Sequence, residues 1–125
     1  MTISNALILN TNDIALECAK NAALSFSKRN PVDFGSCGGA VVVINFGRKT
    51  KLKKQFIECG LIRESSTYDR YGKKGFSVAI PNWQVPNYNQ QNASYKESAF
   101  YAYKNRMEEL LNEVGVEIYV DTWCD

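Results

Sequence analysis

The stretch "DFGSCGGAVVVINF" (residues 33–46) decides the fold, because a cluster of glycines leads directly into a run of β-branched residues. Its second half, residues 40–46, is short and apolar and is predicted to be a central strand buried on both faces. A Walker-type phosphate loop and a nucleophile elbow both follow a strand and precede a helix. Here the glycines precede the strand. We therefore interpret the glycines around Cys37 as positions of tight turning and close backbone approach.

The composition predicts one globular domain spanning residues 1–125. The chain is 45% hydrophobic, which suffices for a core of its own, and its net charge of +2 does not by itself indicate a polyanionic partner. No stretch reaches the ~18 apolar residues of a membrane span, and no basic segment precedes the apolar run at the N-terminus. We therefore expect a cytoplasmic protein without a membrane partner. The four cysteines show no C-x-x-C spacing and are expected to be free thiols.

The sequence contains no histidine. This excludes Cys–His and Ser–His dyads and most zinc and iron sites. Catalysis by carboxylates, lysine or tyrosine stays open, but the sequence reveals no such pair. We predict no catalytic residue, no metal site and no cofactor.

Working outward from the central strand, apolar periodicity predicts three helices and three further strands. The helices are predicted over residues 12–29, 50–59 and 94–114, and the other strands over residues 61–68, 73–80 and 116–123. The order over residues 38–123 is β-α-β-β-α-β, preceded by an N-terminal helical extension over residues 1–32. This order predicts an α+β fold of the ferredoxin-like split βαβ class with a four-stranded antiparallel sheet. Two right-handed crossovers are further expected to place the first and third strands side by side and parallel at the sheet centre.

Basic residues are concentrated between Gly47 and Gly75, where the sequence has nine lysines and arginines and three acidic residues. Three of these lysines are predicted to lie in the first turn of the second helix, where each cation opposes the helix dipole by ~0.3–1 kcal/mol. A bound anion would reverse that penalty. The alternative is a solvated basic face.

The segment "PNWQVPNYNQQN" (residues 81–92) is predicted to be a polar loop carrying two aromatic residues. Its aromatics suit either a binding loop or the edge of the core. If the first and third strands are parallel, this loop and the loop over residues 46–50 leave the same end of the sheet and converge. The predicted binding surface comprises Arg48, Lys49, Lys51, Lys53, Lys54, Trp83 and Tyr88.

Two expectations concern the strand ends and the sheet faces. The last strand is expected to run antiparallel beside the first, which brings Cys37 close to Cys124. An apolar central strand requires cover on both faces, so either the N-terminal helix or a second copy of the chain, as a homodimer, is expected to supply it.

The chain resembles an RNA-recognition motif in its element order. Lys74-Gly75-Phe76 is similar to the start of the RNP1 strand, and residues 41–46 are similar to the RNP2 strand. Val42 and Val78 stand where two base-stacking aromatics are expected. The resemblance therefore implies an apolar sheet face in place of a stacking platform.

From about Phe34 to its end the chain also resembles a set of small accessory proteins of tailed bacteriophages. The motif G-x-C-G-x-A-x-V matches residues 35–42, and a glycine-rich hairpin, a Lys96-Glu97 helix start and a terminal Asp125 follow. This resemblance implies a protein acting in the cytoplasm of an infected bacterium. The leading hypothesis is a non-catalytic binding protein that inhibits or modulates a host protein, such as a defence component. The alternatives are a module that binds RNA or a nucleotide and a small enzyme without histidine.

Overall fold

A computed structural model describes residues 2–31, 38–64, 66–68, 72, 74–81, 83 and 93–124. Within these residues the chain forms an α+β fold, in agreement with the predicted class. The elements in chain order are α1 (Asn5–Arg29), β1 (Gly38–Asn45), α2 (Thr50–Glu58), β2 (Thr67–Tyr68), β3 (Lys74–Ser77), α3 (Ala93–Asn112) and β4 (Glu117–Cys124). No helix in the described ranges is long and apolar enough to cross a membrane.

The centre of the sheet is β1, which pairs with β3 on one side and β4 on the other. The β1–β4 register runs over the full length of β1, from Gly38 opposite Cys124 to Asn45 opposite Glu117. The two-residue β2 pairs with β3 on its outer side, which gives the order β2-β3-β1-β4. Cys124 therefore lies opposite the neighbour of Cys37, while Cys37 itself lies outside the described residues.

The prediction that β1 and β3 are parallel is wrong. The two strands are adjacent, as expected, but Val43 pairs with Ser77 and Ile44 with Phe76 in an antiparallel register. The crossover through α2 makes β1 and β2 parallel, and the hairpin then reverses the chain, so β3 is antiparallel to both strands between which it lies. As a consequence, the segments that follow β1 and β3 leave opposite ends of the sheet.

All three helices lie on one side of the sheet. Val42, Ile44 and Phe46 of the β1 region belong to one core cluster with buried residues of every helix. Helix α3 packs directly on β1 and β4, and α1 packs on α3. Of the two alternatives for covering the opposite face, the N-terminal helix is therefore wrong, because α1 forms an outer layer on the helical side; the homodimer stays a prediction.

Helix α1 begins seven residues before its predicted start at Asn12. The Ser4 side chain caps it by accepting a hydrogen bond from the Leu7 amide at 3.1 Å. Thr11 and Asn12, residue types that commonly cap helices, are instead buried within the helix. Small residues form the inner face of α1, where Ala15, Ala19 and Ala23 are all fully buried.

The opposite face of the sheet carries the alternate residues of each strand. Val43 lies there and is only 2% exposed. Two glycines make room for side chains on this face: a Cβ atom at Gly75 would overlap the Val43 side chain, and one at Gly39 would overlap the Trp123 ring. The interpretation of close backbone approach is therefore confirmed at Gly39.

Candidate functional site

The site is built around the first turn of α2. The helix begins at Thr50, as predicted, but the N-cap position is Lys49, and no side chain caps the helix. Its first turn contains no acidic residue. The positive end of the helix dipole and the lysine charges thus repel one another across the same few residues.

A pocket of about 540 Å³ lies on one side of this turn. We call it the basic pocket. Three exposed cations stand at it, Arg48, Lys49 and Lys51. The buried residues Ile3, Leu52 and Val114 provide an apolar floor. The pocket therefore offers positive charge beside an apolar surface. Its lining residues are Thr2, Ile3, Arg48, Lys49, Thr50, Lys51, Leu52, Gln55 and Val114.

The wall of the basic pocket next to α1 is held by Gln55. Its Nε2 donates a hydrogen bond to the Ile3 carbonyl at 2.7 Å and another to Asn5 Oδ1 at 2.9 Å. These two bonds join α2 to the first residue of α1 and to the segment just before it. The pocket is thus formed where the starts of two helices meet the end of α3, near Val114.

A smaller hollow of about 200 Å³ lies between α2 and β3. We call it the lysine groove. Lys53 Nζ lies 5.6 Å from the centroid of the Phe76 ring, close enough for a cation–π contact. The hollow adjoins the aromatic part of the core, because the Phe76 ring also makes an edge-to-face contact with the Phe46 ring, with centroids 5.9 Å apart. The lining residues are Asn45, Phe46, Gly47, Thr50, Lys53, Lys74, Gly75 and Phe76.

The structure brings together four of the seven predicted binding residues. Arg48, Lys49 and Lys51 line the basic pocket, and Lys53 lines the lysine groove. Lys54 is exposed on α2 and lines neither hollow.

The two predicted aromatic residues do not join this group. Trp83 is half-buried against the core and lines a small hollow with Tyr95 and Phe100 of α3. Because β3 is antiparallel to β1, Trp83 follows the end of β3 that lies away from α2. Tyr88 lies outside the described residues. The predicted convergence of the two loops is therefore wrong for Trp83.

Sequence reasoning missed three contributors to the site: Lys74, Gln55 and Ile3. Lys74 begins β3, and only an antiparallel β1–β3 pair places that start beside the end of β1. Gln55 and Ile3 are brought together across 52 positions of the chain by the docking of α1. An antiparallel β1–β3 pair, had it been predicted, would have placed Lys74 at the site. No local sequence pattern marks Gln55 or Ile3.

The two positions where base-stacking aromatics are expected from the resemblance to an RNA-recognition motif lie on the helical side of the sheet. Val42 and Val78 are buried in the core cluster with Phe56 of α2 and Tyr103 of α3. The face that those two valines form is thus covered by the chain's own helices.

The described residues contain no group of three or more His, Cys, Asp or Glu side chains placed to hold a metal ion. The chemistry at the two hollows is that of cations and hydroxyl groups beside apolar surface, which suits the recognition of carboxylates or phosphates. No protein-family model, curated protein or solved structure matches the chain.

Proposed function

We propose that this chain is a non-catalytic binding protein that recognises an acidic surface of a protein partner through the basic pocket. The observation that carries the proposal is the placement of Arg48, Lys49 and Lys51 around an apolar floor. Charge around the rim steers and orients an acidic partner, and the apolar floor takes up a side chain that anchors it. A purely solvated basic face would have no such floor.

The identity of the partner is proposed from the resemblance to phage accessory proteins. On this proposal the partner is a host component, such as a part of a defence system, and binding blocks it in the cytoplasm of the infected cell. We further propose that the sheet and its two crossovers belong to the ferredoxin-like class. The strand order β2-β3-β1-β4 supports this assignment.

A second candidate function is the binding of RNA or a nucleotide. The lysine groove favours it, because Lys74 and Phe76 stand in the segment similar to RNP1. The geometry at Phe76 weighs against it. Lys53 lies over the ring and Phe46 contacts it, so the ring is engaged within the protein instead of being presented to a base.

Affinity capture from a bacterial lysate tests the proposal. The tagged full chain, its Lys51→Glu variant and a Lys20→Glu control would be compared, with retained proteins identified by mass spectrometry. Lys20 is exposed on α1, about 22 Å along the helix from Asn5, and its substitution changes the net charge equally.

We expect the wild-type chain and the Lys20→Glu control to retain the same protein, and Lys51→Glu to lose it. Retention that is equal in all three would contradict the proposed site. Retention of nucleic acid, released steeply by salt, would favour the second candidate.

A further inference from the structure

The basic pocket and the lysine groove lie on the two sides of the first turn of α2. Thr50 lines both hollows and forms the ridge between them. Lys53 and Lys74 stand on one side of this ridge and Lys51 on the other. Among the residues that the structure describes, the lining of the two hollows includes five cations and no carboxylate. A positively charged surface therefore crosses the ridge.

We infer that a single extended acidic segment of a protein partner binds across this ridge. One apolar side chain of the segment enters the basic pocket, and carboxylates further along it meet Lys53 and Lys74. This inference rests on the proposed function and specifies the form of the partner.

The two-sided shape favours an extended chain over a compact anion. A free phosphate or a single carboxylate would use the cations of one hollow and leave the apolar floor of Leu52 and Val114 uncovered. An extended polypeptide advances about 3.3 Å per residue and can present charged and apolar side chains at successive positions. A few residues of such a chain suffice to reach both hollows.

The lysines around the ridge come from two separate elements. The positive surface therefore exists only in the folded protein, where these elements meet. Lys51 and Lys53 stand on α2, whereas Lys74 begins β3. The antiparallel β1–β3 pairing, with Ile44 opposite Phe76, brings the start of β3 to the end of β1, where Lys74 and Asn45 line the same hollow. A ligand that contacts both groups must therefore bridge α2 and the sheet.

Fluorescence anisotropy tests the inference with a defined probe. The probe is a fluorescein-labelled peptide of twelve residues with repeating Glu-Leu-Glu-Glu sequence, titrated with the full chain. The protein variants are Lys51→Gln, Lys74→Gln and the control Lys20→Gln, each of which removes one positive charge. Two control peptides carry Gln in place of every Glu, or Ser in place of every Leu, and a six-nucleotide oligouridylate serves as the nucleic-acid probe.

We expect Lys51→Gln and Lys74→Gln each to weaken binding of the acidic peptide by about three- to fivefold, with Lys20→Gln unchanged. Both control peptides should bind more weakly than the Glu-Leu peptide. Absence of binding by the Glu-Leu peptide, or equal binding of the Gln peptide, would overturn the inference. Tighter binding of the oligouridylate through the same lysines would overturn it in favour of nucleic acid.

The failure of the inference is distinguishable from the failure of the proposed function. If Lys51→Gln weakens peptide binding and Lys74→Gln does not, the ligand ends at the basic pocket. The extended occupant is then wrong and the proposed function stands. If the Lys51→Glu variant also captures the lysate protein as well as the wild-type chain does, the inference and the proposed function are both wrong.

Discussion

At the residue scale, one buried polar pair fixes how α1 lies on α3. The Tyr103 hydroxyl donates a hydrogen bond to Asn12 Oδ1 at 2.5 Å, and both residues are buried. Burial raises the pKa of the Tyr103 hydroxyl well above its ordinary value, so the group stays a neutral donor. Removing either side chain would leave the polar group of the other one buried without this hydrogen bond.

We predict that Asn12→Ala lowers the free energy of unfolding by about 1–3 kcal/mol, because it leaves the Tyr103 hydroxyl without its acceptor. Urea unfolding followed by circular dichroism measures the change. Asn21→Ala is the matched control, since Asn21 is exposed on the same helix. Because alanine is a better helix former than asparagine, Asn21→Ala should leave the free energy of unfolding unchanged or raise it slightly. Equal losses in the two variants would contradict the assignment of the effect to the buried pair.

The raised pKa of Tyr103 also predicts a dependence on alkaline pH. Its contribution to stability is fully present below the unfolded-state pKa of about 10 and is lost as pH rises through the higher pKa of the folded state. The unfolding free energy of the wild-type chain should therefore fall above about pH 10 more steeply than that of Tyr103→Phe. Parallel pH profiles of the two proteins would contradict this assignment.

Gly39 provides a second test at this scale. Because a Cβ atom there would overlap the Trp123 ring, Gly39→Ala is expected to displace this half-exposed ring and to destabilise the fold by about 0.5–1.5 kcal/mol, the cost of moving a side chain off its rotamer. Acrylamide quenching in a Trp83→Phe background would report greater exposure of Trp123. The double variant with Trp123→Ala should recover part of the lost stability. Without such a recovery, contact with the ring is not the reason for glycine at this position.

At the scale of the element, α2 shows a conflict between helix stability and the site. Its uncapped first turn carries lysines where acidic residues would stabilise the helix. The periodicity predicted the start of α2 and its end near Gly60, whose φ of 73° suits glycine. It did not predict the start of α1. Thr11 and Asn12 are residue types that commonly cap helices. Only their burial beside α3 explains why they lie inside α1.

We predict that Lys51→Glu raises the free energy of unfolding by about 0.3–1 kcal/mol while abolishing capture of the partner. Lys54→Glu is the matched control on the same helix, because Lys54 lies beyond the first turn and lines neither hollow. It should keep binding and gain less stability. Thermal unfolding and lysate capture measure the two effects. Loss of binding in both variants would indicate that net charge alone attracts the partner.

At the scale of the whole molecule, the sequence predicted the α+β class and the central position of β1 in the sheet. The helix predicted over residues 94–114 and the strand predicted over residues 116–123 correspond to α3 and β4, which bury Tyr103, Met107 and Ile118. Strand direction and the docking of α1 were mispredicted, because both depend on contacts between distant segments. The residues of the candidate site were likewise predicted where local sequence marks them and missed where distant segments meet. Local charge marked Arg48 and Lys51, while Lys74 and Gln55 required the assembled fold.

The measurement that tests the central claim most directly is hydrogen–deuterium exchange of the full chain with and without the captured partner. Binding at the basic pocket and across the ridge predicts slower amide exchange in residues 48–55 and 74–76. Residues 20–29 of α1, which lie away from the site, should be unchanged. Protection confined to β4 or to α1, with none at the start of α2, would contradict the claim that the partner binds through the basic pocket.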